Sequence, residues 1–334
     1  MKKALKITGI AAAALVGLVV LILLGFKVVD GIRHAAFYKA ADGELKTPGF
    51  RDGLVQQGFD YVAEEKVFLA VGYMNDDSAS RVYVLREDGS VSYTALKKAN
   101  GSDYTGHTGG IAHFGDYIYI TGGDGLDVFS YADILSGAAE TSCLGALPTY
   151  NDPAYCYIAN GHILVGSFYR PGNYETEDYQ QMTTPCGNEN KSIITVFALD
   201  AAAPFGVAPT LRAVISTPHQ VQGMCLTDSG KLVLSTSYGM ASSKLLVYDT
   251  ARIPFAPVAL FQGVTESGES FAFANIPLFY LEESCLVETV KAPPMSEELV
   301  YLDGKIYIMN ESASAKYIFG RITSGKKVFA YPYS

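Results

Sequence analysis

A two-residue turn between two apolar strands recurs five times along this chain, and a tandem pattern of that kind leaves few architectures open. The copies are DYVAEEKVFLAVGY from Asp60, IAHFGDYIYITGGD from Ile111, YCYIANGHILVGSFY from Tyr155, MCLTDSGKLVLSTSY from Met224 and LVYLDGKIYIMNES from Leu299. Their turns fall at Glu64-Glu65, Gly115-Asp116, Asn160-Gly161, Ser229-Gly230 and Asp303-Gly304. Asn-Gly and Asp-Gly supply the positive φ at both central positions that a type I′ hairpin requires. Glu64-Glu65 is the weakest copy.

Between the hairpins lies a second pattern, a strand, a polar turn and another strand, seen from Arg81, Leu126, Ile193 and Pro277. Four strands per unit follow. The residues after the five turns stand at 66, 117, 162, 231 and 305, so the repeats are spaced by 51, 45, 69 and 74. A core period of about 45 residues with insertions is what four-stranded propeller blades produce. An all-β propeller of five blades is expected, with six as the alternative because KLLVYDT from Lys244 is a further strand followed by a long connection. A two-sheet sandwich is the competing fold. Ring closure needs strands from both chain ends. The terminal KKVFAYPYS gives the last blade a third strand, and AFYKAADGELKTP from Ala36 resembles the missing pair.

Ahead of the repeats, Thr8 to Phe26 is 19 residues without a charge. At helical rise it reaches about 28 Å, the thickness of a hydrocarbon core. A cleaved signal peptide fits less well, because its apolar region is shorter and ends in a small-x-small site. Lys2, Lys3 and Lys6 precede the segment, so the positive-inside rule leaves the N-terminus in the cytoplasm and exports the rest. The expected plan is a cytoplasmic N-terminus over 1–7, a transmembrane helix over 8–26, a tether over 27–35 and a propeller ectodomain over 36–334, a single-pass protein of the cell membrane.

With 34 acidic against 25 basic residues the net charge is −9, which argues against nucleic acid as a partner. The cysteines at 143, 156, 186, 225 and 285 have no short spacing, so no zinc or redox motif is indicated. Cys156 and Cys225 fall in predicted core strands, and Cys143 with Cys186 is the pair to test for a disulfide. Asn100, Asn190 and Asn310 match glycosylation acceptors.

The stretch 36–334 resembles bacterial membrane-anchored extracytoplasmic β-propeller proteins of the NHL-like and YncE-like repeat type. The resemblance rests on repeat shape, without a WD or kelch signature, and implies a propeller but no activity.

In such a blade, the connection into the innermost strand and the loop after the second strand open on one face. Tyr73, Tyr169 and Tyr238 end three second strands at the same position and form a candidate ligand-binding rim with Arg170 and Glu311; Asp124 ends a fourth. His107, Asp152, His219 and Glu297 approach the axis from four connections. They are the catalytic candidates and form a ring suited to a divalent metal such as Zn²⁺, Fe²⁺ or Mn²⁺. Glu298 is read as pointing into its blade. Asp60, Asp152 and Glu297 lie where five-bladed glycosidases place their carboxylates. The loop from Arg170 to Lys191 carries Tyr174, Glu175 and Glu177, and is either a lid or a solvated insertion.

No nucleophile elbow, P-loop or dinucleotide fingerprint is present. The expected function is a binding or scaffolding module at the cell envelope, with a glycan, a peptide or an envelope protein as ligand. A channel-centred hydrolase or lyase acting on a glycan or other envelope-derived substrate is the alternative.

Overall fold

The computed structural model describes residues 2–123, 125–314, 316–317, 320–323 and 327–334. The five hairpins form as expected, and each begins a four-stranded antiparallel blade. Blade 1 runs Leu54–Val62, Val67–Met74, Arg81–Arg86 and Val91–Lys97; blade 2 runs Ile111–Phe114, Tyr117–Gly122, Gly125–Ser130 and Gly145–Pro148. Blade 3 is Pro153–Ala159, His162–Ser167, Ser192–Leu199 and Val207–Thr217, and blade 4 is Val221–Leu226, Lys231–Thr236, Ser243–Asp249 and Leu286–Ala292. In blade 5, Ser296–Leu302, Lys305–Asn310 and Lys327–Pro332 are completed by Asp42–Lys46 from the opposite end of the chain. The fold is a five-bladed β-propeller.

Six blades and the sandwich both fail on this topology. KLLVYDT is the third strand of blade 4, and the long connection after it is a hairpin, Phe255–Val264 with Ser270–Tyr280. That hairpin joins blade 3 instead, pairing parallel with its outer strand at Val214, Ile215 and Ser216. Closure also differs in detail from the expectation, because Ala35–Ala40 is helical and only Asp42–Lys46 is a strand. Phe37 explains the helix. It is 2% exposed and packs on Phe329 and Tyr331 of blade 5, a one-sided burial that a short helical turn provides.

Apolar residues alternate along the inner strands and meet between blades. Leu69 and Val71 of blade 1 pack with Ile118, Ile120 and Phe129 of blade 2, all fully buried, and each such side chain contributes about 1.5–3 kcal/mol. Cys156 and Cys225 lie in these cores as small apolar groups. Cys143 and Cys186, the pair to test for a disulfide, are free thiols with different neighbours, Asp127 for the first and Glu282 for the second. Asn190 and Asn310 are buried, which removes both as glycosylation acceptors.

The N-terminal helix, α1 (Lys2–Arg33), is long and apolar enough over Ile10–Arg33 to cross a membrane. It continues through most of the residues read as a tether. Leu15, Leu21 and Leu24 are exposed, whereas Asp30 and His34 at its end are buried against the propeller.

Candidate functional site

Glu298 closes the axis of the ring. Its Oε2 accepts the backbone N–H of Phe59 at 2.7 Å and of Ile111 at 3.1 Å, and its Oε1 accepts that of Cys156 at 3.1 Å. One carboxyl from blade 5 thereby joins the inner strands of blades 1, 2 and 3. The reading of Glu298 as pointing into its blade is corrected: the backbone irregularity between Ser296 and Leu299 re-aims it. Burial raises its pKa well above the carboxylate range against the lowering effect of the three amides. The strands come close enough for this because Gly58, Gly110 and Gly223 carry no side chain. A Cβ would fall 2.7 Å from Gly110 C or Ile111 N, 2.5 Å from Cys156 N, and 2.3 Å from Glu298 Cα respectively.

Above this plug, a cavity of about 910 Å³ opens on the face that carries the loops after the second strands. Its wall combines aromatic and acidic groups: Tyr73, Phe168, Tyr174, Tyr238 and Tyr317 with Asp152, Glu175, Glu177, Glu266 and Glu311. Lys316 is the one Lys or Arg among the described lining residues.

The polar cluster centres on Glu311. Tyr317 donates its hydroxyl to Glu311 Oε1 at 2.9 Å, and Lys316 Nζ donates to the Tyr73 hydroxyl at 2.6 Å. The Tyr73 ring lies 5.2 Å from that of His107. Behind Glu311 sits Glu297, 2% exposed, whose Oε1 has no hydrogen-bond partner among the described residues. Burial, together with repulsion from Glu311, raises the pKa of Glu297, and burial raises that of Glu311 against the lowering effect of Tyr317 and Lys316. The His107 imidazole borders the cavity but is otherwise enclosed by protein, and burial together with Lys316 lowers its basicity.

Of the expected site residues, His107, Asp152, Tyr73, Tyr238 and Glu311 line the cavity. Asp152 accepts from Gln180 Nε2 at 2.9 Å, an amide on the long loop. Glu297 lies beneath the wall. His219 is exposed outside it; the chain turns through Gln220 at φ 61° and Gln222 lines the cavity instead. The four-residue metal ring is therefore not assembled, and among the described residues no three His, Cys, Asp or Glu converge in a metal-binding group. Tyr169 is off the cavity as well, its place taken by Phe168, since a one-residue shift along an extended chain changes the face. Arg170 stacks its guanidinium 3.6 Å over the Tyr238 ring. Asp124 lies outside the described residues.

The loop from Arg170 to Lys191 is a built wall. Tyr179 packs on Phe261 and Phe271 of the added hairpin, and Asn190 donates to Ser216 Oγ and the Leu281 carbonyl. Lys316, Tyr317 and Glu266 were missed by the sequence reading. The signal for the first two lies in the 16 residues between Asn310 and Lys327, a connection too long for a simple turn between strands.

No protein-family model matches this chain, and no curated protein sequence does. Among solved structures, the glutaminyl cyclase of Myxococcus xanthus aligns over 87% of this chain and 94% of its own, at 10% identity and a TM-score of 0.44. The exo-β-1,3-galactanase of Phanerochaete chrysosporium aligns over 81% and 59%, at 12% identity and 0.44. BamB of Moraxella catarrhalis aligns over 84% and 83%, at 8% identity and 0.33. Likeness at this level concerns the fold and assigns no activity.

Proposed function

We propose that this is a single-pass membrane protein whose propeller stands outside the cytoplasm and binds a glycan in the cavity above Glu298. The observation that carries the reading is a wall that combines aromatic rings with carboxylates. Aromatic faces stack on the C–H faces of sugar rings, while carboxylates accept from hydroxyls. Asp152, Glu175, Glu177 and Glu266, against one lysine among the described lining residues, disfavour phosphorylated or other anionic ligands. The volume lies at the upper end of small-molecule sites. Anchoring by α1, with the N-terminus inside, is supported by the length of the apolar run and by Lys2, Lys3 and Lys6.

Calorimetric titration of the full chain in nanodiscs with a panel of neutral oligosaccharides tests this. At least one should bind, and Tyr238→Ala should weaken it by about tenfold or more, the loss of one stacking contact. Failure of every neutral glycan, with binding of an acidic one, would refute the assignment.

One observation favours a second reading, a hydrolase or lyase. Glu311, in the wall, and Glu297 behind it form a carboxyl pair whose pKa values are raised by burial, and a carboxyl shifted in that direction is suited to general acid catalysis. In that case wild type turns over a glycan it binds and Glu311→Gln binds without turnover. Binding without turnover by wild type leaves the first reading.

A further inference from the structure

The anchor candidate and the cavity share the same two connections. In blade 4, the connection between the second and third strands places Tyr238 and Gly239 in the cavity wall, and three residues later Ser242 Oγ lies 2.9 Å from His34 Nε2. In blade 5, the corresponding connection supplies Glu311, Lys316 and Tyr317 to the wall, and its short helix Gly320–Thr323 packs against α1. Within α1, Asp30 ties the arrangement together. Its Oδ1 pairs with His34 Nδ1 at 2.9 Å and its Oδ2 accepts the Tyr38 hydroxyl at 2.7 Å. Asp30 and His34 are both under a tenth exposed, so the end of the helix is fixed to the domain and does not swing on a loose linker.

A helix fixed to the cavity-bearing face carries that face to whatever the helix enters. The hairpin turns at Glu64-Glu65, Ser229-Gly230 and Asp303-Gly304 lie at the far ends of the strands, about 20 Å away for six residues of strand. We infer that the cavity opens toward the bilayer and that its ligand is a membrane-held molecule presenting an uncharged, hydroxyl-rich head group. The head-group chemistry rests on the binding function proposed above; the direction of the opening does not. Acidic groups at the rim set the charge preference here as well, since they disfavour phosphate-ended lipids.

Two arms test the inference on the full chain. In phosphatidylcholine vesicles, with Cys186→Ser removing the exposed thiol, a fluorophore is placed on Glu175→Cys at the cavity rim or on Glu65→Cys at a hairpin turn. Nitroxide-labelled lipid head groups should quench the rim position more strongly. Equal quenching, or stronger quenching at Glu65→Cys, would overturn the orientation, as would a mature chain lacking α1.

In nanodiscs of phosphatidylcholine carrying glucosyl, galactosyl or N-acetylglucosaminyl diacylglycerol, one head group should raise the melting temperature of wild type and not of Tyr238→Ala. The free sugars at matched concentration should not. An equal effect of the free sugar would overturn the membrane source and leave the binding site standing. No effect of either, with rim quenching intact, would refute the ligand chemistry alone.

Discussion

Glu298 shows how one side chain can set the geometry of a ring. Three buried backbone N–H groups from three blades depend on it, and a buried donor left without a partner costs about 1–3 kcal/mol. Glu298→Ala should therefore destabilise the protein by about 3 kcal/mol or more in urea unfolding, and Glu298→Gln, which keeps one acceptor oxygen, by less. A loss below about 1 kcal/mol for the alanine variant would show that the plug is dispensable.

Asp60, nearer the turn end of the axis, accepts the His113 N–H at 2.9 Å and is pushed by burial from 3.8 up to about 7. The native state thus holds a proton that the unfolded chain has lost between these values. Its stabilising contribution is complete below about pH 4 and disappears as pH rises through about 7. Asp60→Asn removes the titration and keeps an acceptor. At pH 8 the variant should exceed wild type by about 2 kcal/mol, allowing for screening by channel water, and the two should converge near pH 4. A gap independent of pH would contradict the assignment.

Neither role was legible in the sequence. Glu297 and Glu298 are adjacent acidic residues at a strand start, and only a backbone irregularity decides which one reaches the axis. The recurring Gly58, Gly110 and Gly223 were the available clue, since inner strands that meet backbone to backbone need positions without side chains.

Among elements, the hairpins were the most legible, because positive-φ turns such as Asn160-Gly161 and Asp303-Gly304 leave little else for the chain to do. Connections were the least legible. The hairpin over Phe255–Tyr280 leaves its own blade and extends a neighbour's sheet, which no local pattern encodes. The helix is legible by its apolar length, but the docking of its end is not, since His34, held by Asp30, finds Ser242 about two hundred residues away. Asp30→Ala should leave His34 and Tyr38 without their shared acceptor. About 1–3 kcal/mol of stability should be lost, and hydrogen exchange should accelerate at residues 30–40 while the blade cores stay protected. Unchanged exchange there would mean that the helix end is held by apolar packing of Phe37 alone.

At the scale of the molecule, closure by Asp42–Lys46 was foreseen from the missing strand of the last blade, and it has a physical consequence. The ring is sealed by antiparallel pairing between the two ends of the chain, so α1, blade 5 and the cavity wall form one continuous unit. Removing residues 1–46 should open blade 5 and cost far more stability than removing the apolar helix alone. The cavity was only half legible: Tyr73, Tyr238, His107, Asp152 and Glu311 were picked out because the blade repeat assigns them to one face. Lys316, Tyr317 and Glu266 come from insertions with no repeat to align them.

The cavity above Glu298 is the proposed functional surface of the molecule. Hydrogen exchange of the full chain in nanodiscs, with and without a saturating ligand from the glycan panel, tests it directly. Protection is predicted at 173–177, 237–240 and 311–317, with none at the hairpin turns 64–65, 160–161, 229–230 and 303–304. Protection confined to those turns, or to the exposed strand Phe255–Val264, would contradict it.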